Sequence, residues 1–309
     1  MTGCDGPQST LAPAGSGAEQ TLQLFIWMAA GAALVWVLVI GLAIVAFRAQ
    51  AGDVRVARML IVGGGVALPT IVLFVLLGFG LRLLPELTAP GDGLRIAVSG
   101  EQWWWRVRYE PPDGPAVASA NEIRLPAGVR TEFTLTSTDV IHSLWIPSLG
   151  GKMDMIPGRT TRLALEPTRT GVFRGVCAEF CGASHTFMAF DVVVMEQDEF
   201  TAWLERQAEP ARPPAGALAA QGRALFRDNG CGACHRIAGT AAAGVIGPDL
   251  THVGARASLG AGTLPAEIEA FAQWIGHTDA VKPEVRMPAY DMLTPEQLTA
   301  IGHYLKGLQ

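Results

Sequence analysis

Two stretches near the N-terminus stand apart from the rest of the chain because they carry no charge: residues 22–47 and residues 59–81. Each exceeds the roughly 20 apolar residues a helix needs to cross a bilayer. The pattern predicts a transmembrane helical hairpin over 22–84, preceded by a short tail over 1–21. A cleaved signal peptide fits the first stretch poorly, since it is too long and has no basic head. The connecting loop holds Arg48, Arg55 and Arg58 against Asp53. The positive-inside rule therefore places that loop in the cytoplasm, with the tail and everything after about Leu84 on the outer face.

Beyond residue 92 the period changes. Residues 130–136 (RTEFTLT) and 161–166 (TRLALE) alternate polar and apolar positions. Phe133 and Leu135, and then Leu163 and Leu165, share one face of a sheet. Pro-Asp-Gly, Pro-Ala-Gly and Pro-Gly turns punctuate these short strands. The spacing predicts an all-β sandwich over 92–204. Three prolines without apolar periodicity mark a linker over 205–216. Helical patterning then covers 217–309, with Pro265 suited to a first helical turn and Thr294 to Gln297 reading as a capping box. The fold class is a multidomain membrane protein: a two-helix hairpin, an all-β sandwich and an all-α domain. No internal repeat is present.

Composition adds little to that division. Hydrophobic residues make up 50% of the 309, and the surplus lies in the two apolar stretches. The formal net charge is −5, and it falls in the β segment, while the helical segment is balanced. An acidic face there would attract a basic protein or the edge of the chain's own helical domain; a merely solvated surface reads equally well. No basic stripe suggests nucleic acid.

The chemistry lies in two short runs. Residues 177–188 read CAEFCGASHTFM, setting Cys177, Cys181, His185 and Met188 within twelve positions. Soft sulfur donors mixed with imidazole select copper, and His142 supplies an upstream imidazole. A second cysteine allows two ions to share bridging sulfurs. A disulfide on a secreted domain and a thiol-redox or copper-delivery site are the competing readings. The other run is Cys231-Gly-Ala-Cys234-His235. C-x-x-C-H is the attachment motif for c-type haem, whereas zinc would want a second Cys or His pair. Met287, followed by proline, is the candidate sulfur on the far side of such a haem. Met292 reads as a core residue, and His252 as a neighbour of the haem edge.

The run C-x-E-x-C-x3-H-x2-M, preceded by residues 139–159 (DVIHSLWIPSLGGKMDMIPGR), resembles the CuA domain of cytochrome c oxidase subunit II. The resemblance implies a cupredoxin form of the sandwich. It also implies a binuclear copper held by His142, Cys177, Cys181, His185, Met188 and the carbonyl of Glu179. The Glu179 carboxylate would reach a magnesium at the border with subunit I. Residues 101–105 (EQWWW) resemble the Q-W-aromatic-W segment of that subunit, which puts electron uptake on Trp103. For Trp104 and Trp105 a core or membrane-interface role reads equally well.

With a fused cytochrome c-like domain carrying haem c on Cys231, Cys234, His235 and Met287, the whole resembles subunit II of a caa3-type haem–copper oxidase. That implies an electron-receiving subunit in the bacterial plasma membrane, with its copper and haem domains periplasmic. Electrons would pass from a c-type cytochrome or upstream respiratory complex through haem c and CuA to subunit I, where oxygen is reduced and protons are pumped. Subunits I and III and membrane lipids are the implied partners. The alternatives are the CuA subunit of a nitric oxide reductase-type enzyme and a copper-delivery protein. Where many relatives carry an acid before the proline of the second span, this chain reads MLIVGGGVALP and offers no carboxylate. Thr2-Gly3-Cys4-Asp5 resembles the end of a lipoprotein cleavage box, which would make Cys4 a lipidation site.

Overall fold

The computed structural model describes residues 5–48, 53–213 and 215–309; Cys4 lies outside them. The chain divides into two units, Gln20–Ala89 and a second formed by Met1–Glu19 with Pro90–Gln309.

The first unit carries both apolar stretches as helices. α1 spans Ser16–Arg48. The second segment starts as α2 (Val54–Met59), passes through a π-helical stretch at Leu60–Ala67 and continues as α3 (Leu68–Leu87). Asp53 caps α2 by accepting from the Arg55 amide, a side chain meeting one of the unpaired donors at a helix start. The wider turn falls at Gly63, Gly64 and Gly65, just before Pro69, which has no N–H to give the preceding turn of this continuous helix. Both segments are long and apolar enough to cross a membrane. They contain the uncharged stretches 22–47 and 59–81. Near their ends the Gln20 amide donates to the Glu86 carboxylate at 2.8 Å.

The second unit starts with ten strands: β1 (Arg95–Glu101), β2 (Trp104–Glu110), β3 (Val117–Ala120), β4 (Glu122–Pro126), β5 (Thr131–Ser137), β6 (His142–Trp145), β7 (Met153–Met155), β8 (Thr161–Leu165), β9 (Gly171–Cys177) and β10 (Ala189–Met195). They form two five-stranded sheets, ordered β3-β2-β1-β5-β8 and β4-β10-β9-β6-β7. Alternation decides which side chains enter the space between them. In β2, Trp105, Val107 and Tyr109 are buried while their neighbours are not. The predicted strands pair with each other, Phe133 opposite Leu163, and Phe133 and Leu135 are fully buried.

Trp105 is thus a core residue, packed edge-on against Phe190 with ring centroids 5.2 Å apart. Trp104, on the other side of β2, lies under the Arg106 guanidinium. The N-terminal tail joins this sandwich. Ala14 is buried, its amide donates to the Ser148 carbonyl, and its own carbonyl accepts from the Thr168 amide. Polar, glycine-rich tail composition hid that attachment.

α4 (Gln197–Ala208) closes one side of the sandwich by packing Phe200 and Trp203 on Tyr109. It continues past the expected linker start at 205, because Trp203 and Phe200 form an apolar stripe that the helix buries. The helical domain follows with α5 (Ala217–Asp228), a two-stranded pair β11 (Ser258–Leu259) and β12 (Leu264–Pro265), then α6 (Ile268–Gly276), α7 (Thr278–Val281) and α8 (Pro295–Lys306). Pro265 pairs in β12 and α6 starts three residues later, after Glu267. The capping box at Thr294 and Gln297 is formed. Phe226 of α5 meets Tyr304 of α8 at 5.6 Å, and a second core gathers around that contact.

Phe190 joins both sheets through Trp105 and has no exposed surface. Phe190→Ala should destabilise the β domain by about 3–5 kcal/mol, the range for emptying a buried aromatic site. Chemical denaturation followed by tryptophan fluorescence measures it, and a loss below about 1 kcal/mol would show that the core collapses around the gap.

Candidate copper and haem centres

The twelve-residue ligand run folds into a cage because the strands on either side keep pairing up to its mouth. The Cys177 amide, at the end of β9, donates to the carbonyl of Met188, one residue before β10. A short 3-10 turn at His185–Phe187 returns the chain inside that closure. β6 pairs with β9 in the register Leu144 opposite Cys177, which carries His142, two residues earlier, to the same pole. The Ala178 amide adds a bond to the Ser143 carbonyl.

Five side chains therefore converge. Cys177 Sγ and Cys181 Sγ are 3.8 Å apart. His142 Nδ1 lies 3.8 Å from Cys177 Sγ, and His185 Nδ1 lies 3.5 Å from Cys181 Sγ. Met188 Sδ is 3.8 Å from Cys181 Sγ, and the Glu179 carbonyl is 3.2 Å from Cys177 Sγ. His142, Cys177, Cys181 and Met188 are all buried. Neither cysteine is in a disulfide. Two imidazoles, a thioether and a carbonyl around two adjacent thiols form a soft donor set that fits copper.

The protons are arranged to suit a cation. His142 Nε2–H donates to Asp139 Oδ1 at 2.9 Å, which leaves Nδ1 with its lone pair toward the sulfurs. This is the support that a metal-bound histidine ordinarily has. Asp139 also accepts from the Gln102 and Val140 amides. Burial works against its charge, but these bonds and the His142 ring outweigh it and hold the carboxyl below its usual range. The two thiols share one negative charge. The hydrogen bond from Cys181 holds Cys177 down, against burial, with help from His142. The same bond, then burial, pushes Cys181 up. A metal that replaces the shared proton satisfies both sulfurs.

The helical domain encloses the second constellation. Cys231, Cys234, His235 and Met287 line one cavity of about 260 Å³, together with Leu250, Phe271 and Ile301. His235 Nδ1–H donates to the Pro248 carbonyl at 2.8 Å, so Nε2 is the ring nitrogen with a free lone pair. Burial lowers the pKa of this ring and keeps it neutral, as a ligand must be. Gly247 lies under the ring, where a Cβ would come within 2.6 Å of it. An apolar cavity with two thiols at its edge and an oriented imidazole fits covalent haem c, and Met287 is a further sulfur on its lining.

The cavity has a wall from the other domain. Glu101, Gln102, Trp103 and Trp104 all line it. Trp103 is 5% exposed, and its indole N–H donates to the Cys181 carbonyl at 2.9 Å. The Gln102 side-chain amide donates to the same oxygen at 2.8 Å. Gly182, at φ 117°, packs against the Trp103 ring at a distance where a Cβ would come within 2.9 Å.

Residues 112–196 match the family model for the cytochrome c oxidase subunit II periplasmic domain, and residues 219–309 match that for cytochrome c. Cytochrome c oxidase subunit 2 of Alkalihalophilus pseudofirmus is 37% identical over 225 residues, covering 73% of this chain and 64% of that protein. Its Bacillus subtilis counterpart is 33% identical, covering 71% and 63%. The Branchiostoma floridae protein of the same name is 33% identical over 158 residues, covering 45% of this chain and 68% of the relative. The chain belongs to the cytochrome c oxidase subunit 2 family. It spans just under two thirds of the length of the two bacterial relatives.

Within this subunit 2 chain, the structure gathers His142, Cys177, Glu179, Cys181, His185 and Met188 at one pole of the sandwich. It gathers Cys231, Cys234, His235 and Met287 around the cavity. One other expectation needs correcting: Met292 is 71% exposed and not a core residue. His252 stands next to the cavity-lining Val253 without lining the cavity itself, and it donates to the Glu209 carbonyl at 3.0 Å, pinning the linker to the helical domain. The Glu179 carboxylate is half-exposed, 4.0 Å from Lys152 Nζ. Sequence reasoning missed Asp139, although an acid three residues before a ligand histidine was the available signal. It also missed Lys282 and the Pro248 carbonyl, which no local pattern marks.

Asp139→Asn keeps the shape but removes the carboxylate that receives the His142 proton. Copper affinity should fall about 10–100-fold, the usual cost of losing such a partner. Competition with a copper chelator, read by the thiolate-to-copper absorption, gives the value. Unchanged affinity would mean that Asp139 does not set the ring.

Proposed function

We propose that this chain is the electron-receiving subunit of a respiratory haem–copper oxidase of the caa3 type. In this reading haem c and a binuclear copper, when bound, each supply a one-electron relay between an external donor and subunit I, where oxygen is reduced to water and protons are pumped. One observation carries the reading: Trp103 lines the cavity of the haem motif and, through its indole N–H, touches the backbone of the ligand Cys181. The two ligand sets thus share a single aromatic side chain.

In this proposal His142, Cys177, Cys181, His185, Met188 and the Glu179 carbonyl hold the copper pair. The burial of the donors keeps water from rearranging around it. Cys231 and Cys234 would hold the haem through thioethers, and the His235 imidazole and Met287 thioether would supply its protein ligands. Trp103 conducts between them, as a π-system filling what would otherwise be a longer gap. Because Trp103 is covered, an external c-type cytochrome or respiratory complex meets the helical domain first. The Glu179 carboxylate would serve a magnesium at the subunit I border, once Lys152 turns away from it. The uncharged helices set the chain in the plasma membrane, with the folded domains on the periplasmic face and oxidase subunits I and III beside them.

The full-length chain, matured with copper and a haem-attachment system, should show covalent haem and an EPR spectrum with one electron shared by two coppers. Cys181→Ser should abolish the shared signal. A mononuclear copper signal in the unsubstituted chain, or full copper binding in Cys181→Ser, would sink the binuclear assignment. Met287→Leu should leave haem attached while changing its optical and magnetic spectra. Unaltered spectra would take the distal ligand away from Met287.

A further inference from the structure

We infer that Lys282 is a positioning residue that locks the helical domain onto the copper domain and thereby fixes Trp103 between the two centres. The inference rests on the electron-relay reading above. Lys282 follows α7 and is 1% exposed, an unusual state for a lysine. Its ammonium donates to three backbone carbonyls: Trp103 at 2.6 Å, Phe187 at 2.7 Å and Gly260 at 3.0 Å. The first follows β1 in the EQWWW segment. The second lies in the turn between His185 and Met188. The third belongs to the helical domain itself.

An ammonium has three N–H bonds to donate, and here each has an acceptor. A buried cation is costly unless its hydrogen bonds are satisfied. Full satisfaction is available only while the domains are docked, because two of the three acceptors belong to the copper domain. Burial draws the pKa of the group down to about 7. A neutral amine would leave one carbonyl without a donor, so the cage itself favours the charged form.

The position of Lys282 gives the lock its consequence. Trp103 is held at both ends, its indole N–H on the Cys181 carbonyl and its own carbonyl under Lys282. Phe187 immediately precedes the ligand Met188. On the other side, the Lys282 amide donates to the Thr278 carbonyl at 2.8 Å, and the Thr278 hydroxyl donates to the Met287 carbonyl at 3.0 Å. One loop therefore supports the haem-side sulfur and reaches the backbone of the copper cage. Bonds elsewhere in the interface, such as Ala189 amide to Ala261 carbonyl and Ala257 amide to the Glu122 carboxylate, define the seat that Lys282 secures.

The test uses the full chain, loaded with haem and copper and assembled with its oxidase partners. Lys282→Met should keep both centres at normal content. After flash reduction of the haem, electron arrival at copper should slow by about tenfold or more, as the docked fraction falls on losing a buried charged hydrogen-bond donor. Hydrogen exchange at the Ala189 and Ala257 amides should quicken by a similar factor. Lys282→Gln, shorter and uncharged, should move both readouts in the same direction. Unchanged transfer and exchange in both variants would overturn the lock. So would a parent chain in which those two amides exchange as fast as exposed loop amides. A parent chain with both centres present but no transfer between them would instead overturn the relay reading, whatever Lys282 does.

Discussion

The backbone hydrogen bond from the Cys177 amide to the Met188 carbonyl is the constraint on which the copper centre depends. It ends the pairing of β9 with β10 and closes the intervening segment into a loop of fixed span. Four side-chain donors fall on that loop, and the sheet register adds His142 from β6. None of these residues has to search for the others once the sheet has formed. The entropy of ordering the loop is met by strand pairing and core packing, as for any ordered segment. In the proposed centre a metal would therefore find its donors already gathered, and a cage of this kind would change little with the charge of its contents, which suits the proposed relay.

The same economy of position governs the junction between the domains. The linker tethers the helical domain, and a tether raises the effective concentration of one site at another. Tethering alone would leave orientation free. The orientation comes from a seat of polar contacts: Arg106 on the Ile246 carbonyl, Ser184 on the Pro283 carbonyl, Arg174 on the Gly262 carbonyl and Ser258 against Asp191. Many of these acceptors are backbone carbonyls of loops. Such bonds are directional, so they fix an orientation that a tether alone does not.

Local pattern made much of this readable from the sequence. Uncharged stretches defined the two long helices, alternation at Phe133 and Leu135 defined a strand face, and the spacing of Cys177, Cys181, His185 and Met188 defined a metal loop. What was hidden depends on distant segments. Pro265 has the chemistry of a helix start, yet the chain around it pairs as β12 because Leu264 finds Leu259 across a tight turn. Met292 is apolar enough for a core, yet its side chain stands exposed at the surface. His252 bonds through its ring to the Glu209 carbonyl of the linker, a partner 43 residues away that no local pattern marks. The tail over 5–19 carries no strand signal, and its backbone partners, Ser148, Leu149, Glu166, Thr168 and Arg174 among them, come from distant parts of the sandwich.

Lys282 is the clearest case of information that exists only in three dimensions. In sequence it is an ordinary charged residue in a proline-containing loop, and the expectation for it is solvent. Its three acceptors lie 22, 95 and 179 residues away along the chain. Local propensity has no access to such separations. Physical reasoning identifies the residue once burial and donor count are read together. A fully buried cation with every proton placed, and with its acceptors divided between two domains, must have been assembled by their docking. The functional weight proposed for it then follows from where those acceptors are: one on Trp103, which touches Cys181 and lines the cavity, and one beside Met188.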